Sequence, residues 1–235
     1  MSESQEQPEV ISTTAELNTS SKKERVLGNR NAIIGAIVVV LLAIVGVTYY
    51  RSVKTEKEAE ASLALSRIMP YVEAGDMQKA LQGDPVKKVR GNDISGLISI
   101  VDQYESTGAG KTAALHAAIA SVALKNYSDA ERFFDIASGS ESQYVSASAQ
   151  AGMAAVKEAQ GQYADAATLY EKATSLSEKN GNKDKYEYYA GLCYEKAGNK
   201  ESAKNMYENL LAEFEFSEFA GEAKAGLTRL GIVVD

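Results

Sequence analysis

The sequence predicts an all-α protein: one apolar helix able to span a membrane, followed by a superhelix of helical hairpins. Three observations predict it. Asn31 to Tyr50, "NAIIGAIVVVLLAIVGVTYY", is 20 residues without a charge. From Ile94 onward the apolar residues recur at helical spacing, and no segment after the span keeps a period of two. A twelve-residue pattern then returns three times in phase. Composition agrees, with no tryptophan, three prolines and many alanines among 235 residues.

Composition also excludes functions. One cysteine (Cys193) and one histidine (His116) allow no disulfide within the chain and argue against a zinc or haem site of N and S ligands. A net charge of −7 argues against nucleic acid as a partner, because binding it requires a basic face.

The tail, residues 1–30, is polar through residue 28 and contains Pro8. It cannot bury enough apolar surface to offset its ordering entropy, so it is expected to be unordered. The span, residues 31–50, is flanked by Arg30 and Arg51, and a helix of that length covers roughly 30 Å. Tyr49 and Tyr50 sit where an interfacial aromatic belt belongs. The long polar leader and the absence of a small-x-small site favour a retained anchor over a cleaved signal peptide. Lys22, Lys23, Arg25 and Arg30 precede the span and Arg51, Lys54 and Lys57 follow it, a four-to-three count that favours the N-terminus inside and so a cytoplasmic tail.

Residues 51–93 read as a helical stalk and a loop. The stalk helix continues from the span, with a bend expected near Pro70. "QGDPVKKVRGND" (82–93) is expected to be a loop from its Gly, Pro and Asp content.

Residues 94–235 are the repeat domain. Leu97, Ile98, Val101 and Tyr104 form its first helical stripe. "ESTGAGKT" (105–112) then ends in the G-K-[ST] of a phosphate-binding loop. Glu105 stands where the motif's first glycine belongs, the segment upstream is helical, and no later strand offers an aspartate for magnesium. No nucleotide is expected. Thr107 reads instead as the N-cap of the next helix.

The repeat itself is gapless. "NYSDAERFFDIA" (126–137), "QYADAATLYEKA" (162–173) and "NKESAKNMYENL" (199–210) each place an alanine, an aromatic four later and a small or apolar residue three after that. These are Ala130, Phe134 and Ala137, then Ala166, Tyr170 and Ala173, then Ala203, Tyr207 and Leu210. A small side chain lets antiparallel helices approach, and the aromatic fills the gap to the next pair. One pair cannot bury its own apolar face, so pairs must stack.

The pattern resembles the tetratricopeptide repeat over roughly Ser95 to Leu230, with a degenerate extra unit at "AGDMQKAL" (74–81). The first helices depart from it by lacking tryptophan and by replacing the usual Leu-Gly pair with Ala117-Ala118, Met153-Ala154 and Ala190-Gly191. The layout of tail, anchor, stalk and repeats resembles the bacterial ancillary Sec-translocon subunit family, whose repeat domain is related to that of the cell-division coordinators. "ALQGDP…ISGLISIVDQYESTGAGKTAALHAA" is similar to the opening region of its anchored members.

That resemblance implies a bacterial inner-membrane, single-pass protein with a cytoplasmic tail and periplasmic repeats, bound near the Sec translocon and to periplasmic chaperones. It also implies a partner groove lined by the first helix of each pair: Thr112, Leu115, His116, Ile119 and Val122; Ser148, Ala151, Gly152 and Glu158; Lys185, Tyr188, Tyr189, Leu192 and Glu195. Repeat domains that clamp acidic chaperone tails use basic residues and Asn there. Leu115, Ile119, Ala151 and Leu192 favour an apolar or aromatic-bearing segment instead. No Ser-His-Asp or Cys-His arrangement can be assembled, so no catalytic, cofactor or metal residue is expected. Two function classes follow: a membrane-tethered scaffold assisting translocation or envelope folding, and a structural docking subunit of a larger membrane enzyme or energy-transducing complex.

Overall fold

A computed structural model describes residues 12–89, 91–177 and 181–233, with side chains from residue 34 onward. The chain forms two units, residues 1–54 and 55–235. One helix, α1 (Ser12–Glu73), contributes to both.

The first unit is the leading part of α1. Every side chain from Ile34 to Tyr50 is exposed. The helix is long and apolar enough to cross a membrane, with a mean hydropathy of 2.1 over its most apolar stretch. It begins at Ser12, where composition predicted an unordered tail. No Gly or Pro interrupts residues 12–27, and Ala15, Glu16, Leu17, Lys22, Lys23 and Glu24 are good helix formers. The expectation for residues 1–11 lies outside the described residues.

The second unit is a stack of helical pairs. The end of α1 is the first helix of the first pair, and α2 (Met77–Gln82) starts the second. Gly75, at φ +75°, makes the turn between them, and Asp76 caps α2 by accepting from the Lys79 N–H at 3.2 Å. Residues 82–93, expected to be a loop, largely form a hairpin instead: β1 (Gly83–Val89) pairs antiparallel with β2 (Asn92–Ser95). Gly91, at φ +80°, turns it, and Val89 and buried Ile94 face the core. Residues 85–87 bulge out between the Asp84–Ile94 and Lys88–Asp93 pairs.

The hairpin interrupts a helix. α3 (Leu97–Tyr104) resumes where α2 stopped. A Cβ on Gly83 would come within 2.6 Å of the Gly96 amide nitrogen, and one on Gly96 would collide with the Leu81 carbonyl. Only glycines let the two backbone segments meet this closely. Ala80 stands 50 residues before Ala130; without the 14 residues from Gly83 to Gly96 the interval is 36, the interval from Ala130 to Ala166. The degenerate first unit is thus in register, with a hairpin inserted in its second helix.

Three regular pairs follow: α4 (Gly108–Ala123) with α5 (Tyr127–Ser138), α6 (Gln143–Ala159) with α7 (Tyr163–Ser175), and α8 (Lys183–Lys196) with α9 (Lys200–Glu213). A lone helix, α10 (Ala220–Arg229), ends the stack. All nine repeat positions are buried, none more than 5% exposed. The ring of Phe134 lies where a Cβ on Gly152 would be, and Tyr207 lies against Gly191 and Gly226. Each of these two aromatics therefore reaches from a second helix to the first helix of the next unit.

Candidate protein-binding groove

The phosphate-loop look-alike is a helix start. Thr107 accepts the Gly110 N–H at 2.9 Å, as expected of an N-cap. The Gly108 and Ala109 N–H groups donate to the Glu58 carboxylate at 2.7 and 2.9 Å. The seat that a phosphate would need, at the positive end of α4, is taken by the chain's own anion. Gly110 is a glycine because a Cβ there would collide with the Tyr104 carbonyl. Lys111 donates to the Gly139 carbonyl across the pair, and Thr112 to the Gly108 carbonyl at 3.0 Å. The element upstream is the helix α3.

The first helices carry the fourteen residues expected in a groove. Ile119 (45% exposed) and Lys185 are open to solvent. Thr112, His116, Val122, Ser148, Tyr188, Tyr189 and Leu192 are half-buried. Leu115 and Ala151 are buried, and Gly152 is pressed against Phe134. Those three pack between helices. Glu158 and Glu195 are struts: Lys196 donates to Glu158 at 2.7 Å, and Arg229 donates to both Glu195 oxygens at 2.7 and 2.8 Å. Tyr207 adds a third bond to Glu195 at 2.9 Å, and its carboxyl is held below the usual range, first by Arg229. Each strut ties one first helix to the next: α6 to α8, and α8 to α10.

An aromatic row runs from α7 across α8 to the start of α10. Tyr170 stacks on Tyr189 at 5.5 Å, Tyr189 meets Tyr188 at 5.3 Å, and Tyr188 stacks on Phe219 at 5.2 Å. Phe219 was not among the expected groove residues. Its "FEFSEF" segment reads as a connector, and only the fold brings it back over α8.

Two of the buried polar residues in the first helices leave an oxygen without a hydrogen bond among the described residues. The family's pattern places tryptophan three residues before the Leu-Gly pair. Here Gln150 and Glu187 hold that place, 3% and 2% exposed, each with one side-chain oxygen lacking a hydrogen bond. Burial pushes the Glu187 carboxyl up to about 7, against the pull of Lys183 at 4.0 Å. Burial also pushes the Cys193 thiol up to about 12, which makes it a core residue and not a nucleophile. Burial lowers the pKa of His116, favouring the neutral ring. Among the described residues no cluster of three or more His, Cys, Asp or Glu is placed to hold a metal.

Comparison with known proteins adds the family. A family model described as a tetratricopeptide repeat-like domain matches residues 27–225. The chain belongs to this tetratricopeptide repeat-like family. Its members are typically non-catalytic interaction modules, so protein partners are the general expectation. No curated protein matches the chain.

Proposed function

We propose that this tetratricopeptide protein is a membrane-tethered scaffold that holds an apolar, aromatic-bearing protein segment, and that it assists translocation or envelope folding at a bacterial inner membrane. The observation that carries the reading is the character of the half-open face of the first helices. Ile119, Val122, Leu192, Tyr188 and Tyr189 supply apolar and aromatic surface, while Glu158 and Glu195 are neutralised within the stack. An acidic tail finds few cations there, whereas an aromatic side chain can join the Tyr170–Tyr189–Tyr188–Phe219 row. The Sec-translocon resemblance supports periplasmic repeats, a cytoplasmic N-terminus and the translocon or periplasmic chaperones as partners. The chain itself holds no nucleotide, metal or other cofactor in this reading, and it is not an enzyme.

The test is site-specific photocross-linking in membranes, with the cross-linker at Ile119 or Tyr189 and, as control, at exposed Asn205 on a second helix. Cross-links to translocon or chaperone components from the first two positions alone support the reading. Cross-links confined to a redox or photosynthetic complex replace it with the docking-subunit role.

A further inference from the structure

The start of the stack is an uncovered repeat interface. Counting back from each pair's turn, Leu63 corresponds to Ala113, Ala149 and Tyr186. Those three are at most 6% exposed, each beneath the preceding unit, whereas Leu63 is 58% exposed. Beside it Leu63, Ala64 and Ile100 help to line a cleft of about 280 Å³ between α1 and α3. Arg67 reaches the same cleft, and its guanidinium makes no hydrogen bond or ion pair among the described residues. Glu60 is also at the cleft, where Tyr104 donates to it at 3.4 Å.

The other end of the stack presents an exposed ring between two carboxylates. Phe216, between α9 and α10, is 95% exposed. Glu215 and Glu218 flank it, both exposed and both without an ion pair among the described residues. The main contacts run between helices adjacent or one apart in chain order, so this loop lies several units away from the cleft of its own chain.

We infer that the cleft receives the Phe216 loop of a second copy, joining copies head to tail. The ring lies on exposed Leu63 and on Ala64, in a cleft otherwise lined by polar groups such as Ser95 and Gln103, and Arg67 gains the carboxylate partner it lacks, from Glu215 or Glu218. The first repeat of an array needs a cap over its outer face, and here a partner can supply it. Such a contact is heterologous, so it continues into a ring or a chain and not a closed two-fold dimer. The inference is independent of what fills the groove.

The experiment uses the full chain in membranes, with a photocross-linking residue at Leu63 and a mixture of light and isotopically heavy copies. The expected product joins position 63 of one copy to residues 214–219 of the other isotope. Phe216→Ala should lower its yield at least ten-fold without shifting the melting temperature, because the ring is exposed. Arg67→Glu should lower it about as far, and Glu215→Lys with Glu218→Lys on the second copy should restore it. A product linking position 63 to position 63, a product with a different protein, no product, or one indifferent to Phe216→Ala and Arg67→Glu would each overturn the inference.

Discussion

Glu187 sits where an indole would otherwise fill the space between helices, and its second oxygen has no partner. Its carboxyl is raised from 4.5 to about 7, so the folded chain holds this proton more tightly than the unfolded one. The stability this contributes is fully present below about pH 4.5 and is lost as pH rises through about 7. Glu187→Gln keeps the shape and removes the titration. Urea melts of the two proteins should converge near pH 4.5 and separate by pH 8, where the variant is more stable by about 1–3 kcal/mol. A constant difference at all pH values would assign the effect to packing alone. Lys125 offers a second test. The turns at Gly75, Gly161 and Gly198 all have φ between +75 and +80°, and Lys125 fills the same place at φ +60°. A side chain there strains the backbone, so Lys125→Gly should stabilise by about 0.5–1 kcal/mol despite the entropy glycine adds to the unfolded chain. An unchanged urea midpoint would remove strain from that turn.

At the scale of the element, the alanines set how closely helices approach. Ala166 is fully buried and Ala164, two residues away, is exposed. Ala166→Leu should cost about 1–3 kcal/mol by overpacking, while Ala164→Leu should cost almost nothing. The loss should lower the cooperative transition of the whole stack, since each pair is held by its neighbours. Equal midpoints would refute the register. That register was legible because three copies in phase repeat the same packing problem, and Ala, aromatic, small is its solution each time. The N-cap at Thr107 was legible for a similar reason: capping is local chemistry. The hairpin was not. "GDPVKKV" carries no alternation, and its pairing depends on two glycines 13 positions apart and on Tyr71, which donates to Asp84 at 2.6 Å. Glu158 and Glu195 were placed on the right helices, yet no local signal gives their partners, 38 and 34 residues away.

For the whole molecule, the proposed membrane tether predicts on which side the repeats lie. The proposal puts the N-terminus in the cytoplasm, from the four-to-three charge count and the family resemblance. Alkaline phosphatase fused after Asp235 should be active in a bacterial host, and green fluorescent protein fused there should be dark. The opposite pair of results would reverse the assignment. Either way the helix α1 contributes residues to both units. Its carboxylate at Glu58 closes the N-terminus of α4, so Glu58→Ala should speed hydrogen exchange at Gly108 and Ala109 while leaving the last pair unaffected.

The neck between Gly83 and Gly96 makes the hairpin a detour whose departure and return points nearly coincide. The helices on either side therefore keep their register whatever distance the chain travels in between. The bulge at residues 85–87, where Val86 is 90% exposed, can be lengthened or carry an epitope without shifting any repeat downstream. Evolution can edit the chain there as freely as an experimenter can, because the stack measures the gap across the neck and not the length of the loop.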